Sequence, residues 1–322
     1  MSEAHHRIPV VGIPRALYFF YYGKAWEKFF QKVGFCTLIS PPTNKKILEK
    51  GINLSVEELC IPLKAFYGHC EFLKTRCDFV FVPRYISVTK NTFTCPKLLV
   101  LPDTVKFVVP DLHVLSLSFK KSEVPGMGQF FLMGCRIMRK TYFSNPGIKF
   151  LNLIKMRQLF KKTLWEEREK SEIKPLSFFT NSHSTSSIPI MVIGHPYNLE
   201  DSFINHNLFN TLEELGLKVI TPKQISAKII REELKNLPFI YWSQEREIAA
   251  SAYFALKQSF IKGIILVSSF GCGPDSLIAE QIVQDAKQYK KPVMQLFLDE
   301  NTSQVNIQTR IEAFADMIRA RK

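Results

Sequence analysis

The sequence predicts an α/β fold: two similar Rossmann-like or flavodoxin-like parallel-sheet domains, an internal pseudo-repeat, joined by a mostly helical segment. Three observations predict it. A short apolar run ending in Gly-x-Pro occurs twice, as Val10-Val11-Gly12-Ile13-Pro14 and as Val192-Ile193-Gly194-His195-Pro196. A second pair of glycines, Gly34 and Gly216, keeps the same spacing of 182 residues as Gly12 and Gly194. In each copy an apolar strand pattern alternates with a helical one, the order that builds parallel βαβ units.

The elements follow in order. The first run reads as a strand. Trp26 to Val33 has helical spacing and stops at Gly34, where a helix C-cap favours a left-handed residue. Phe35 to Ile39 is the next strand. A helix runs through Leu63, Phe66 and Leu73, and a third strand fits Phe79–Val82. In the second copy Leu208 to Leu215 is helical and stops at Gly216, and Leu217 to Ile220 is a strand. Ile264–Val267 is the counterpart of the third strand, and a later strand fits Val293–Phe297. The domains are set at 1–110, containing Cys60 and Cys95, and 188–322, containing Cys272. Between them, residues 111–187 form a helical bridge and linker. Lys155 to Lys170 carries an apolar stripe of Met156, Phe160 and Leu164, and Ser177–Ser187 has loop composition.

The 322 residues are 46% hydrophobic and 22% charged, which excludes a disordered chain or a coiled coil. No run of about 18 apolar residues occurs, so no membrane association is expected. Met1 to Arg7 is polar, without the apolar core of a signal peptide, and a cytoplasmic location is expected. The net charge is +14, and all of it lies in residues 1–187, with 28 Lys/Arg against 14 Asp/Glu. A basic half can attract nucleic acid, anionic partners or phosphorylated ligands, or be a solvated surface with no dedicated ligand. No zinc-finger, helix-turn-helix or RNP-type signature points to nucleic acid.

Seven cysteines in such a chain argue against a disulfide framework. Three of them share a context: Cys60-Ile61-Pro62, Cys95-Pro96 and Cys272-Gly273-Pro274. Proline removes a backbone donor and fixes φ, which helps end a ligand loop, and iron–sulfur ligand runs often end in Cys-Pro. Cys272 follows the strand Ile264–Val267 and precedes a helix expected near Ser276. Loops at the carboxyl ends of parallel strands bind ligands, and helix N-termini stabilise thiolates. Gly271 and Gly273 allow a ligand to approach the backbone closely. Cys70 and Cys36 read as packing residues, and Cys77 and Cys135 as structural. Three dispersed thiolates suit a cubane with one open iron. They equally suit three unrelated buried thiols. Zinc usually takes a fourth protein ligand, and the chain has no CxxC.

Several segments go further: Gly12-Ile13-Pro14-Arg15, Ser40-Pro41-Pro42-Thr43-Asn44-Lys45, Glu57-Glu58-Leu59-Cys60-Ile61-Pro62-Leu63-Lys64, Cys95-Pro96-Lys97, Gly194-His195-Pro196-Tyr197-Asn198, Tyr241-Trp242, and Ser268 through Ser276. With Asp299-Glu300 and Gln308 through Phe314, they resemble the acyl-CoA dehydratase activase-related proteins. That family is similar to 2-hydroxyacyl-CoA dehydratase subunits and double-cubane-cluster proteins. The resemblance implies an oxygen-sensitive iron–sulfur cluster, [4Fe-4S] or of double-cubane type, held by Cys60, Cys95 and Cys272. It implies an ATP-dependent activase, with its own cluster, as electron donor. It also implies an acyl-CoA or another small substrate to be reduced or dehydrated, anaerobic chemistry, and either a homodimer or a heterodimer. The alternative is a non-catalytic cluster-binding scaffold. The chain lacks the activase's own Gly-rich ATP motifs. It departs from the family at Asp299-Glu300-Asn301-Thr302-Ser303, where relatives carry His and Gly.

Other residues complete the candidate site. His195 is a proton donor, a group supporting the cluster's ligands, or a loop cap. Arg15 stands at the matching position of the first copy, as a binder of phosphate or of a carboxylate, or as a surface ion pair. Ser269, Gly271, Gly273 and Asp275 are expected around the cofactor, with helix capping the alternative for Asp275 and Ser276. Glu245 and Glu247 either line a cleft or lie on a helix surface. No Ser-His-Asp or G-x-S-x-G pattern supports a hydrolase.

Overall fold

The computed structural model describes residues 8–88, 91–120, 124–140, 150–169 and 187–321. Chain contacts divide the protein into two units. The first comprises 1–57 and 63–171, and the second 58–62 and 172–322. Residues 111–171, read above as part of a bridge, thus cluster with the first unit. Most of the expected loop Ser177–Ser187 lies outside the described residues.

In the first unit the chain runs β1 (Val10–Ile13), α1 (Phe19–Val33), β2 (Cys36–Ile39), α2 (Lys45–Asn53), α3 (Ile61–Leu73), β3 (Phe79–Phe81) and β4 (Arg84–Tyr85). It continues as α4 (Pro96–Leu99), α5 (Leu101–Val108), β5 (Val114–Leu115), β6 (Ser118–Phe119), α6 (Met127–Lys140) and α7 (Phe150–Glu169). The sheet is parallel, in the order β2-β1-β3-β5. Past β3 and β5 the pairing resumes as the parallel pair β4-β6, with Arg84 N–H bonded to the Leu117 carbonyl. Pro83 lies at the break, where it has no N–H to give to a ladder. This short second ladder has no counterpart in the sequence reading.

The phenylalanines build the core of this unit. Phe29 on α1 lies 5.2 Å from Phe160 on α7 and 5.9 Å from Phe130 on α6, ring centre to ring centre. Phe30 meets Phe81 at 5.0 Å. The stripe read on α7 is the face that packs: Met156, Phe160 and Leu164 are all buried. Offset and edge-to-face ring pairs suit such a core because each presents ring edges to ring faces.

The second unit repeats the plan. It runs β7 (Ile188–Gly194), α8 (Pro196–Leu199), α9 (Leu208–Glu214), β8 (Leu217–Ile220) and a 3-10 turn at Pro222–Gln224. Next come α10 (Ala227–Lys235), α11 (Ser243–Lys257), β9 (Ile264–Ser269), α12 (Gly273–Ala286), β10 (Val293–Leu298) and α13 (Gln304–Ala320). Its parallel sheet has the order β10-β9-β7-β8. Both units therefore have one topology: the first strand is flanked by the second on one side and the third on the other, and the fourth lies outside the third. The α/β class with two Rossmann-like parallel sheets is the observed fold. Gly34 and Gly216 follow their helices with φ of 106° and 70°, the left-handed geometry their position predicts.

Two expectations need correction. Cys36 is exposed, not packed, because it opens β2, the edge strand of its sheet. The helix after Cys272 starts at Gly273, so Asp275 falls in its first turn and not before it. Among the described residues, no helix is long and apolar enough to cross a membrane.

Candidate metal centre

In an open parallel sheet, ligands collect where the strand order reverses, at the carboxyl ends of the strands. In the second unit that point lies between β7 and β9. The loop after β7 supplies His195, and the loop after β9 supplies Cys272 and, one helical turn on, Asp275. One possible ligand atom from each of these three residues falls within 4.8 Å of the other two, a His/Cys/Asp group able to hold a metal ion.

Each side chain is placed by local chemistry. His195 precedes the short helix α8, and its carbonyl accepts from Asn198 and Leu199 N–H. Its ring stacks on Tyr197 at 4.7 Å. Asn198 Oδ1 accepts a 2.9 Å bond from the Ser269 hydroxyl, which ties the loop after β7 to the end of β9. Asn205 then donates to the carbonyls of Asn198 and Leu199. Ser269 is thus a loop tie. Gly271 has φ of 75°, and a Cβ there would stand 3.1 Å from the Glu58 carbonyl oxygen. Segment 58–62, which carries Cys60, clusters with this unit. Apart from its chain neighbours and its own helix backbone, nothing lies within 4 Å of a Cβ built on Gly273. Ser276 donates its hydroxyl back to the Cys272 carbonyl at 2.8 Å.

The centre is buried and rich in carboxylates. His195, Asp275 and Glu245 are 3%, 5% and 2% exposed. His195 Nε2 lies 3.0 Å from Asp275 Oδ1 and 3.7 Å from Glu245 Oε1. Glu245, in the first turn of α11, is therefore a member of the centre and not a helix-surface residue. Its signal in the sequence was weak, one carboxylate among several after Tyr241-Trp242. Burial pulls the His195 pKa down, but Asp275 and then Glu245 outweigh it and lift it to about 9. Glu245 is raised, by burial first, against the lowering effect of His195. The Cys272 thiol is pushed far up by burial and by Asp275, and Cys60 is close enough to add to that repulsion. Asp275 Oδ2 and Glu245 Oε2 are not placed in hydrogen bonds among the described residues. Acidic groups with unmet oxygens around a protonated thiol fit a bound cation, which would neutralise them and favour the thiolate.

The three cysteines singled out by proline share a structural position. Cys60 immediately precedes α3, Cys95 precedes α4, and Cys272 precedes α12. Each helix carries its proline at the first or second position. Cys60 and Cys272 belong to the second unit, and Cys95 and Arg15 to the first. The departing segment forms a turn: Asp299 Oδ1 accepts from Asn301 N–H and from the Thr302 hydroxyl, both at 2.8 Å. Ser303 then caps α13, and Asn301 is exposed.

Residues 10–225 match the model of the family described as the CoA enzyme activase uncharacterised domain. Among solved structures, a crystal structure of ZnuA aligns over 96% of this chain and 99% of its own, at 9% identity and a TM-score of 0.23. No curated protein matches the chain. The match over residues 10–225 spans most of the chain, which belongs to the CoA enzyme activase-related family.

Proposed function

We propose that this member of the CoA enzyme activase-related family is an iron–sulfur redox protein of the 2-hydroxyacyl-CoA dehydratase-like kind. Its electrons come from an ATP-dependent activase, and its substrate is an acyl-CoA or another small molecule. The observation that supports this reading best is the shared placement of Cys60, Cys95 and Cys272, each directly before a helix with proline in its first turn. A helix N-terminus favours thiolate and the negative charge of a cluster.

In this reading the three cysteines hold the cluster. The cluster would supply single electrons and an open iron for the departing oxygen of the substrate. The chain's own residues do the rest. Asp275 and Glu245 hold a proton on His195 Nε2, where it can be given to a leaving hydroxyl. Ser269 and Asn198 keep that loop in register with β9. Gly271 takes the positive φ that carries the loop past the Glu58 carbonyl to Cys272.

Iron and sulfide content with EPR of anaerobically purified protein tests the proposal. The expected result is a cluster in the wild type and its loss in Cys272→Ala. A colourless protein that stays iron-free after reconstitution would overturn it. A second reading, a non-catalytic cluster-binding partner, is favoured by Asn301, which is exposed in a closed turn where relatives carry His. Turnover of an acyl-CoA with activase, ATP and reductant would exclude that reading.

A further inference from the structure

The first unit has its own strand-order reversal, between β1 and β3. Two arginines stand at that end of its sheet. Arg84, after β3, is paired with Asp103 and with the Leu99 carbonyl. Arg15, after β1, is half-buried, and among the described residues its guanidinium has no carboxylate partner; it only borders the Phe19 ring at 5.8 Å. A guanidinium with no carboxylate beside it is open to pair with an anion.

The surroundings are built from loops that hydrogen bonds hold together. The Arg15 N–H donates to Ser40 Oγ at 2.8 Å, and Ser40 N–H donates to the Ile13 carbonyl, so the loops after β1 and β2 are locked together. Three residues on, buried Thr43 shares a 3.1 Å hydrogen bond with Nε2 of His69 on α3. His69 is fully buried, and its other nitrogen, Nδ1, has no hydrogen-bond partner among the described residues. Burial, and then the charge of nearby Arg15, lower the His69 pKa to about 3, so the ring is neutral beside the Arg15 cation. The sequence half that contains it carries the whole net charge of +14.

We infer that Arg15 is the charge-binding residue of an oxyanion site in the first unit, which takes a phosphate group at the carboxyl end of β1. Thr43 and His69 are positioning residues that hold the loop carrying Ser40. The planar guanidinium gives two parallel N–H donors to a phosphate, which suits it better than a point charge. The site's residues belong to the first unit, and Cys272 to the second. Only its extension to the phosphates of CoA rests on the acyl-CoA reading above.

Calorimetric titration of the full-length, anaerobically prepared protein with inorganic phosphate tests the inference, alongside Arg15→Gln and Arg15→Lys. The wild type should bind phosphate, Arg15→Gln should weaken binding about tenfold or more, and Arg15→Lys should fall between, as expected for a lost bidentate pair. Far-UV circular dichroism of each variant identifies a misfolded one, in which case His69→Gln replaces it and should weaken binding less than loss of the guanidinium. Competition then separates the sources. Displacement of phosphate by CoA but not by 3′-dephospho-CoA assigns the 3′-phosphate, and displacement by neither assigns free phosphate; both support the site. Equal phosphate affinity in wild type and Arg15→Gln, or no binding by the wild type, would overturn it. Cys272→Ala should leave phosphate affinity unchanged while losing iron, so failure of the cluster reading and failure of this one give different patterns.

Discussion

His195 and Cys272 respond in opposite directions to the same charges. Asp275 and Glu245 hold a proton on the imidazole and hold the proton on the thiol, because a carboxylate favours a neighbouring cation and opposes a neighbouring thiolate. Replacing Asp275 by Asn removes the largest of the influences that raise His195 and leaves burial opposing them. In metal-free protein the His195 pKa should therefore fall from about 9, which ring-proton NMR would follow. An unchanged value would mean that Glu245 alone holds the proton. His69 is the opposite case. Its folded pKa, about 3, lies below the ordinary 6.5, so the unfolded chain binds more protons between these values. Stability therefore rises with pH across that window and is lost as pH falls through it. At about 1.4 kcal/mol per pH unit, roughly 2 kcal/mol should be lost between pH 6.5 and 5. Denaturant midpoints across that range should show the slope in the wild type and a shallower one in His69→Gln.

At the scale of elements, α2 and α3 approach so closely that their backbones touch. A Cβ on Gly68 would overlap the Ile47 carbonyl oxygen, and one on Gly51 would overlap the Lys64 carbonyl. Neither obstacle is a flexible side chain. Gly68→Ala should force the helices apart and cost on the order of 1–3 kcal/mol, typical of overpacking with backbone shifts, which a thermal melt would register. Ser303 is a gentler case: it accepts from Asn306 N–H at the start of α13, and Ser303→Ala should cost about 1 kcal/mol. Legibility followed the same division. The stops at Gly34 and Gly216 could be read because a left-handed cap has a residue signature. The stripe on α7 could be read because helical spacing is local. The α2–α3 contact could not, because a glycine that meets a distant carbonyl looks like any other glycine. Glu245 could be named only beside Glu247, as a cleft or a helix-surface residue, since carboxylates in the first turn of a helix usually face water.

At the scale of the whole molecule, the charge asymmetry makes a kinetic prediction. Residues 1–187 carry the full +14, so association with an acidic partner should slow as salt rises. Stopped-flow association at graded ionic strength would show it, and a rate independent of salt would remove the basic half from the docking face. The repeat at 182 residues, by contrast, is a statement about topology. Both sheets place the first strand between the second and third, and both put a reactive residue just past the first strand: Arg15 in one, His195 in the other.

The amino-acid sequence by itself determined the doubled α/β plan, the helix stops, the basic half and the three cysteines set beside prolines, because spacing, composition and turn chemistry are properties of neighbouring residues. Only the tertiary structure decided that His195, Asp275 and Glu245 meet around Cys272 and that Arg15 has no carboxylate partner among the described residues. Burial and charge compensation depend on which distant segments the sheet order brings to one strand end, and local pattern does not contain that information.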